Sequence, residues 1–123
     1  MTNAEFKLEL EQRTKRFAIN LLEWLNKLPD RRAINVGVYQ LAKSGTSIGA
    51  NYREANRAES EDDFSHKISI VEKEANETVF WFEVFLESRL LSSEQKDAGT
   101  LLHTEAVELL KLFSSISRSS RSR

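Results

Sequence analysis

The chain has no cysteine, one proline and four glycines in 123 residues. Without cysteine there is no disulfide framework and no thiolate metal site, and a reducing cytoplasm is the expected compartment. So few helix breakers in a charged, leucine-rich chain point to helices. Neither sign of charge is in excess. The 18 Lys and Arg against 19 Asp and Glu leave a formal net charge of -1. That argues against a protein built mainly to coat nucleic acid, although a local basic face remains open. No apolar run approaches the ~20 residues of a membrane span, so no membrane partner is expected. The first residues, MTNAEFKLELEQR, show no secretory pattern. The length suits a single domain able to bury roughly two thirds of its unfolded surface.

What is present is helical periodicity. Thr2 and Glu5 have capping-box spacing, and Leu10, Thr14, Phe17, Leu21, Trp24 and Leu28 follow in steps of four and three, a bundle seam with one polar member. Leu8, Ile19 and Leu22 lie off that seam. Pro29 stops the helix and Asp30 is positioned to cap the next. The second helix carries Ile34, Val38, Leu41, Gly45, Ile48, Tyr52 and Ala55 on one face. Ser60 with Asp63 starts the third, whose stripe is Phe64, Ile68, Val71, Ala75, Val79, Phe82 and Leu86. Ser92 with Gln95 starts the fourth, with Ala98, Leu102, Glu105, Leu109, Leu112 and Ile116 inward and Leu101 and Phe113 broadening the face. The spacing predicts helices over about 3–28, 31–57, 61–90 and 93–117. Short connections make them an all-α, antiparallel up-down-up-down four-helix bundle over residues 1–117. The Ser/Arg tail, 118–123, has no apolar member and is expected to be disordered.

The densest stretch is SGTSIGANYREANR, Ser44 to Arg57. Gly45 and Gly49 each cost about 1 kcal/mol against alanine in a helix interior. Close approach of a neighbouring helix offsets that cost; a kink or a backbone-binding surface is the alternative. Ser47, Gly49, Asn51, Arg53, Glu54 and Arg57 on this helix face a matching polar block on helix three, Glu74, Asn76 and Glu77 beside Lys73. If the two blocks meet, Asn51 and Asn76 can satisfy each other or the backbone, and Arg53 or Arg57 can pair with Glu74 or Glu77. Such a network fixes register more than it adds stability. A ligand or RNA surface is the competing reading. Helix three also carries a second apolar group, Ile70, Phe80, Trp81 and Val84, more than one stripe of a monomer requires. It is read as an oligomer interface, with a helix central to its own bundle as the alternative.

Chemistry of reaction is hard to find. Asp63 and His66 make the one near-match to a Glu-x-x-His metal motif, and His103 has Thr100 where a carboxylate is required. No nucleophile elbow, phosphate loop or dinucleotide fingerprint occurs. The expectation is no enzyme, no metal, no cofactor and no small-molecule substrate. For nucleic acid the candidates are Arg13, Lys15 and Arg16, then Arg31 and Arg32 at a turn, then Arg118, Arg121 and Arg123 in the tail. Arginine suits phosphate because its planar fork donates two parallel bonds; a solvated surface is the plainer account.

The segments Ser47-Ile48-Gly49-Ala50-Asn51 with Glu54-Ala55, and Lys73-Glu74-Ala75-Asn76-Glu77 before an aromatic run, resemble bacterial four-helix-bundle proteins encoded in intervening sequences of large-subunit ribosomal RNA genes. The resemblance covers about Leu41 to Leu91. It implies a ring-shaped homopentamer, with Ser47, Gly49, Asn51, Glu54, Asn76 and Glu77 as structural or interface residues, and it supplies no catalytic residue. Relatives that accompany reverse transcriptases in diversity-generating retroelements look like strongly basic nucleic-acid adaptors; this chain differs in its slightly acidic balance. The resulting expectation is a non-enzymatic oligomeric scaffold with RNA or a ribonucleoprotein as candidate partner. The alternative is a protein–protein adaptor using the aromatic face of helix three.

Overall fold

The computed structural model describes residues 1–122, so the candidate phosphate contact Arg123 lies outside the described residues. The elements in order are α1 (Asn3–Asn26), α2 (Arg32–Ala55), α3 (Glu61–Glu87) and α4 (Ser93–Arg121). No strand occurs among the described residues. Each helix packs on the next and α4 returns beside α1, the least extensive of the four contacts. The backbones of the diagonal pairs stay apart, and their side chains meet in the middle: Phe17 and Trp24 of α1 against Phe82 of α3, and Tyr52 of α2 against Phe113 of α4. This is the antiparallel four-helix bundle expected from the periodicity.

Local chemistry sets most boundaries. Thr2 Oγ1 accepts from Glu5 N at 3.1 Å, and Ser60 Oγ accepts from Asp63 N at 3.0 Å. At α4 the capping box closes both ways, Gln95 N to Ser92 Oγ at 3.1 Å and Ser92 N to Gln95 Oε1 at 2.9 Å. Asp30 does not cap α2. The N-cap is Arg31 with no side-chain bond, and Asp30 instead accepts from Asn35 Nδ2 at 2.8 Å. α3 ends three residues earlier than its apolar pattern because Ser88 turns extended, its hydroxyl bonding Phe85 O at 2.9 Å.

The tail is the larger correction. α4 does not stop at residue 117 but runs helical to Arg121. Ser117 and Ser120 are buried, and Ser120 Oγ meets Ser65 Oγ of α3 at 3.0 Å. Small hydroxyl residues seat against the start of α3 where an apolar pattern had run out, and Arg118 and Arg121 favour a helix C-terminus. The inward face of α4 follows its leucine rhythm in part, with Leu102, Leu112 and Ile116 half-buried against the core. Gly99, Ala106, Leu109 and Phe113 are buried, Ala98 is exposed and Leu101 is 75% exposed.

The stripes of α1, α2 and α3 are buried much as their spacing requires, with Gly37, Ser44, Thr78 and Phe85 added. The glycines of α2 explain its close neighbours. A Cβ on Gly45 would collide with Leu21 of α1. One on Gly49 would lie 3.0 Å from Thr14 Oγ1 and 3.3 Å from the Thr14 backbone. One on Gly37 would enter the Phe85 ring of α3. α2 remains one continuous helix through all three positions, so close helix approach accounts for them. Gly45→Leu is therefore expected to lower stability by about 1–2 kcal/mol, overpacking exceeding the gain in helix propensity. Thermal melts at one fixed protein concentration check this; an unchanged or higher Tm would contradict it.

Candidate interaction surfaces

The polar stretch of α2 turns toward α1, not α3. Steps of four from Gly49 carry Arg53 and Arg57 along the α1 side, and there they meet Glu11. Its carboxylate accepts from Asn56 Nδ2 at 2.9 Å and from Arg57 Nη1 at 3.3 Å, and lies 3.6 Å from Arg53 Nε. The anticipated pairing of Arg53 or Arg57 with Glu74 or Glu77 does not form. Nor does Asn51 reach Asn76; its amide donates to Ser47 O, one turn back, at 2.8 Å. Ser47 likewise bonds Lys43 O within α2, and Asn76 and Glu77 are exposed. Glu54 is exposed and close enough to favour the charge of Lys67. The polar contact that does join α2 to α3 is small and buried, Thr78 Oγ1 to Ser44 Oγ at 3.0 Å.

Glu11 had no signal of its own in the sequence. Its position three residues before Thr14 is the clue, because Thr14 packs on Gly49. The Asn56 amide, then Arg57 and Arg53, hold its carboxyl below the usual range, against the opposing effect of burial. Burial pushes the neighbouring Tyr52 phenol up, and the Glu11 charge adds to it. On α3, burial and then Glu77 push the Glu74 carboxyl up.

The surplus apolar group of α3 divides. Phe80 and Val84, four residues apart, are 52% and 37% exposed. Trp81 and Ile70 are half-buried, and Trp81 packs against the core while its ring meets Phe80 edge-on at 5.2 Å. The outward part of the face is thus Phe80 and Val84, with Trp81 as their support.

The basic candidates are not brought together. Arg13 is committed to Glu105 of α4 through two 2.7 Å bonds. Lys15 and Arg16 are exposed in the middle of α1. Arg31 and Arg32 sit at the end of the bundle where α2 begins; Arg118 and Arg121 sit at the other end, beside the acidic start of α3 at Glu61, Asp62 and Asp63. Helices of 24 residues put those ends about 36 Å apart. Asp63 binds Lys67 at 2.8 Å, and the His103 ring lies 6.2 Å from that of Phe82. No three His, Asp or Glu side chains gather as a metal site among the described residues, and no helix there is long and apolar enough to cross a membrane.

Glu11 gives a pH signature. Its lowered pKa means that it stabilises the fold fully above the ordinary carboxylate range, and that this stability is lost as pH falls through its folded-state pKa. Glu11→Gln is expected to cost about 1–2 kcal/mol at pH 7, less than a fully buried charged bond because both arginines are largely exposed. The difference from the unmodified chain shrinks as pH drops below the ordinary carboxylate range. Denaturant titrations at several pH values check it; a difference independent of pH would contradict the assignment.

The family profiles and the solved structures place the chain among known proteins. The family profile described as 23S rRNA-intervening sequence protein matches residues 6–115. No curated protein matches. Among solved structures, a protein of unknown function from the S23 ribosomal protein family of Bacteroides thetaiotaomicron is 33% identical. The alignment covers 91% of this chain and 97% of that one, with a TM-score of 0.77. Family profile, sequence identity and bundle geometry agree, and the chain belongs to the 23S rRNA-intervening sequence protein family.

Proposed function

We propose that this protein is a non-enzymatic scaffold that acts by assembling with copies of itself, in the closed ring implied by the family resemblance. The observation that carries the reading is the outward line of α3. Phe80 and Val84 are large, apolar and exposed on a helix whose own core face is already filled by Val71, Ala75, Phe82 and Phe85. An exposed aromatic backed by a half-buried tryptophan is the composition expected of an interface centre. RNA or a ribonucleoprotein enters as a partner of the assembled form, since one copy gathers no basic face.

Phe80→Glu places a charge at the centre of that line without touching the core. It is expected to leave the helical circular dichroism intact and to reduce the sedimenting species to monomer, or to raise the assembly Kd at least about tenfold. An unchanged particle size would remove α3 from the interface. A monomeric unmodified chain that captures one partner protein would favour the adaptor reading.

A further inference from the structure

We propose that the outward face of α3 in one copy seats on the outward face of α1 in the next. The inference rests on the self-assembly just described and adds what the α3 face meets. On α1, Leu8, Lys15, Ile19 and Leu22 recur at steps of seven, four and three, on the side away from the buried Leu10, Phe17 and Leu21. The three apolar members are 58%, 51% and 48% exposed, a second unpartnered strip comparable to that of α3. α1 and α3 are a diagonal pair whose backbones do not adjoin. Their outer faces therefore look away from the bundle on opposite sides.

Charge and the length of the strips together select which strip meets which. Glu77, Glu83 and Glu87 surround Phe80 and Val84, outnumbering Lys73 two turns before Phe80, and none of the three makes an ion pair or hydrogen bond among the described residues. Lys15 and Arg16 beside Ile19 are equally free and outnumber Glu23 one turn on, whereas Arg13, Arg53 and Arg57 are already bound to carboxylates. An α3-on-α3 contact would set a mainly acidic rim against its own copy, and α1-on-α1 would set Lys15 and Arg16 against their own copies. α3 on α1 joins apolar strip to apolar strip with mainly opposite charges at the rim, and the three-residue strip of α1 outreaches the outer pair of α2, Val36 and Tyr39 beside Arg32 and Lys43. Two different faces on opposite sides make a head-to-tail interface, which propagates until it closes as a ring or runs on as a filament.

The absence of cysteine makes the test clean. Two variants, Ile19→Cys and Phe80→Cys, are mixed under mild oxidation. The expected product is a disulfide-linked pair containing one of each, with neither variant cross-linking efficiently alone. Phe80→Cys cross-linking to itself would overturn the proposal in favour of a two-fold α3 contact. Assembled protein with no cross-link in any mixture would also overturn it, while leaving self-assembly intact. A monomeric unmodified chain would remove the reading underneath. A second measurement avoids cysteine. Lys15→Glu/Arg16→Glu and Glu77→Lys/Glu83→Lys are each expected to weaken association about tenfold or more, and an equimolar mixture to recover it. Failure of the mixture to associate better than either variant would contradict the pairing.

Discussion

The bundle depends on how closely α2 is approached by its two neighbours. Gly45 and Gly49 admit Leu21 and Thr14 of α1, and Gly37 admits the Phe85 ring of α3. These contacts fix the rotation of α2 about its axis, because a small residue is needed wherever another helix presses in. Once that rotation is set, the rest of the polar stretch has no freedom. Arg53 and Asn56 fall beside Glu11, and Ser44 falls beside Thr78. The dense hydrogen-bonding character of Ser44 to Arg57 is the consequence of one helix serving two tight interfaces.

The same constraint determines what is left outside. With α2 wedged between α1 and α3, those two helices become the diagonal pair and turn their remaining sides outward. Each keeps an apolar strip there, Ile19 with Leu22 on one and Phe80 with Val84 on the other, all from 37% to 52% exposed. The fold leaves apolar strips on two opposite sides of one domain, beside the exposed Val36 and Tyr39 of α2 and Leu101 of α4. Reaction chemistry has no comparable concentration. Arg13 and Glu105, the ionic pair spanning α1 and α4, satisfy each other.

Much of this was legible in the sequence, and the reasons for the rest are physical. Caps at Thr2, Ser60 and Ser92 were readable because capping is settled within four residues. Three core stripes were readable because leucine-like residues at helical spacing have few alternatives. α4 is legible in part: Leu102, Leu109, Leu112, Phe113 and Ile116 lie in or against the core, but it offers leucines on two adjacent faces, and burial of Gly99 under Trp24 rather than periodicity turns Ala98 and Leu101 outward. Its last turn was misread because Ser117 and Ser120 pack through small size and hydroxyl bonds, which a hydrophobicity pattern does not register. The polar network was assigned to the wrong neighbour. Steps of three and four give a helix face but not the helix it confronts, and Glu11 sits 45 residues from its partner Asn56. The basic residues were identified one by one, but only the fold separates them to two ends and a middle.

The measurement that tests the central claim most directly is the solution mass of the unmodified chain by light scattering, at low and at high salt and with and without ribosomal RNA. An interface centred on apolar strips and rimmed by charges predicts a defined multiple of 14.2 kDa that persists at high salt, with any further RNA-dependent mass lost as salt rises. A monomer under every condition would contradict the account.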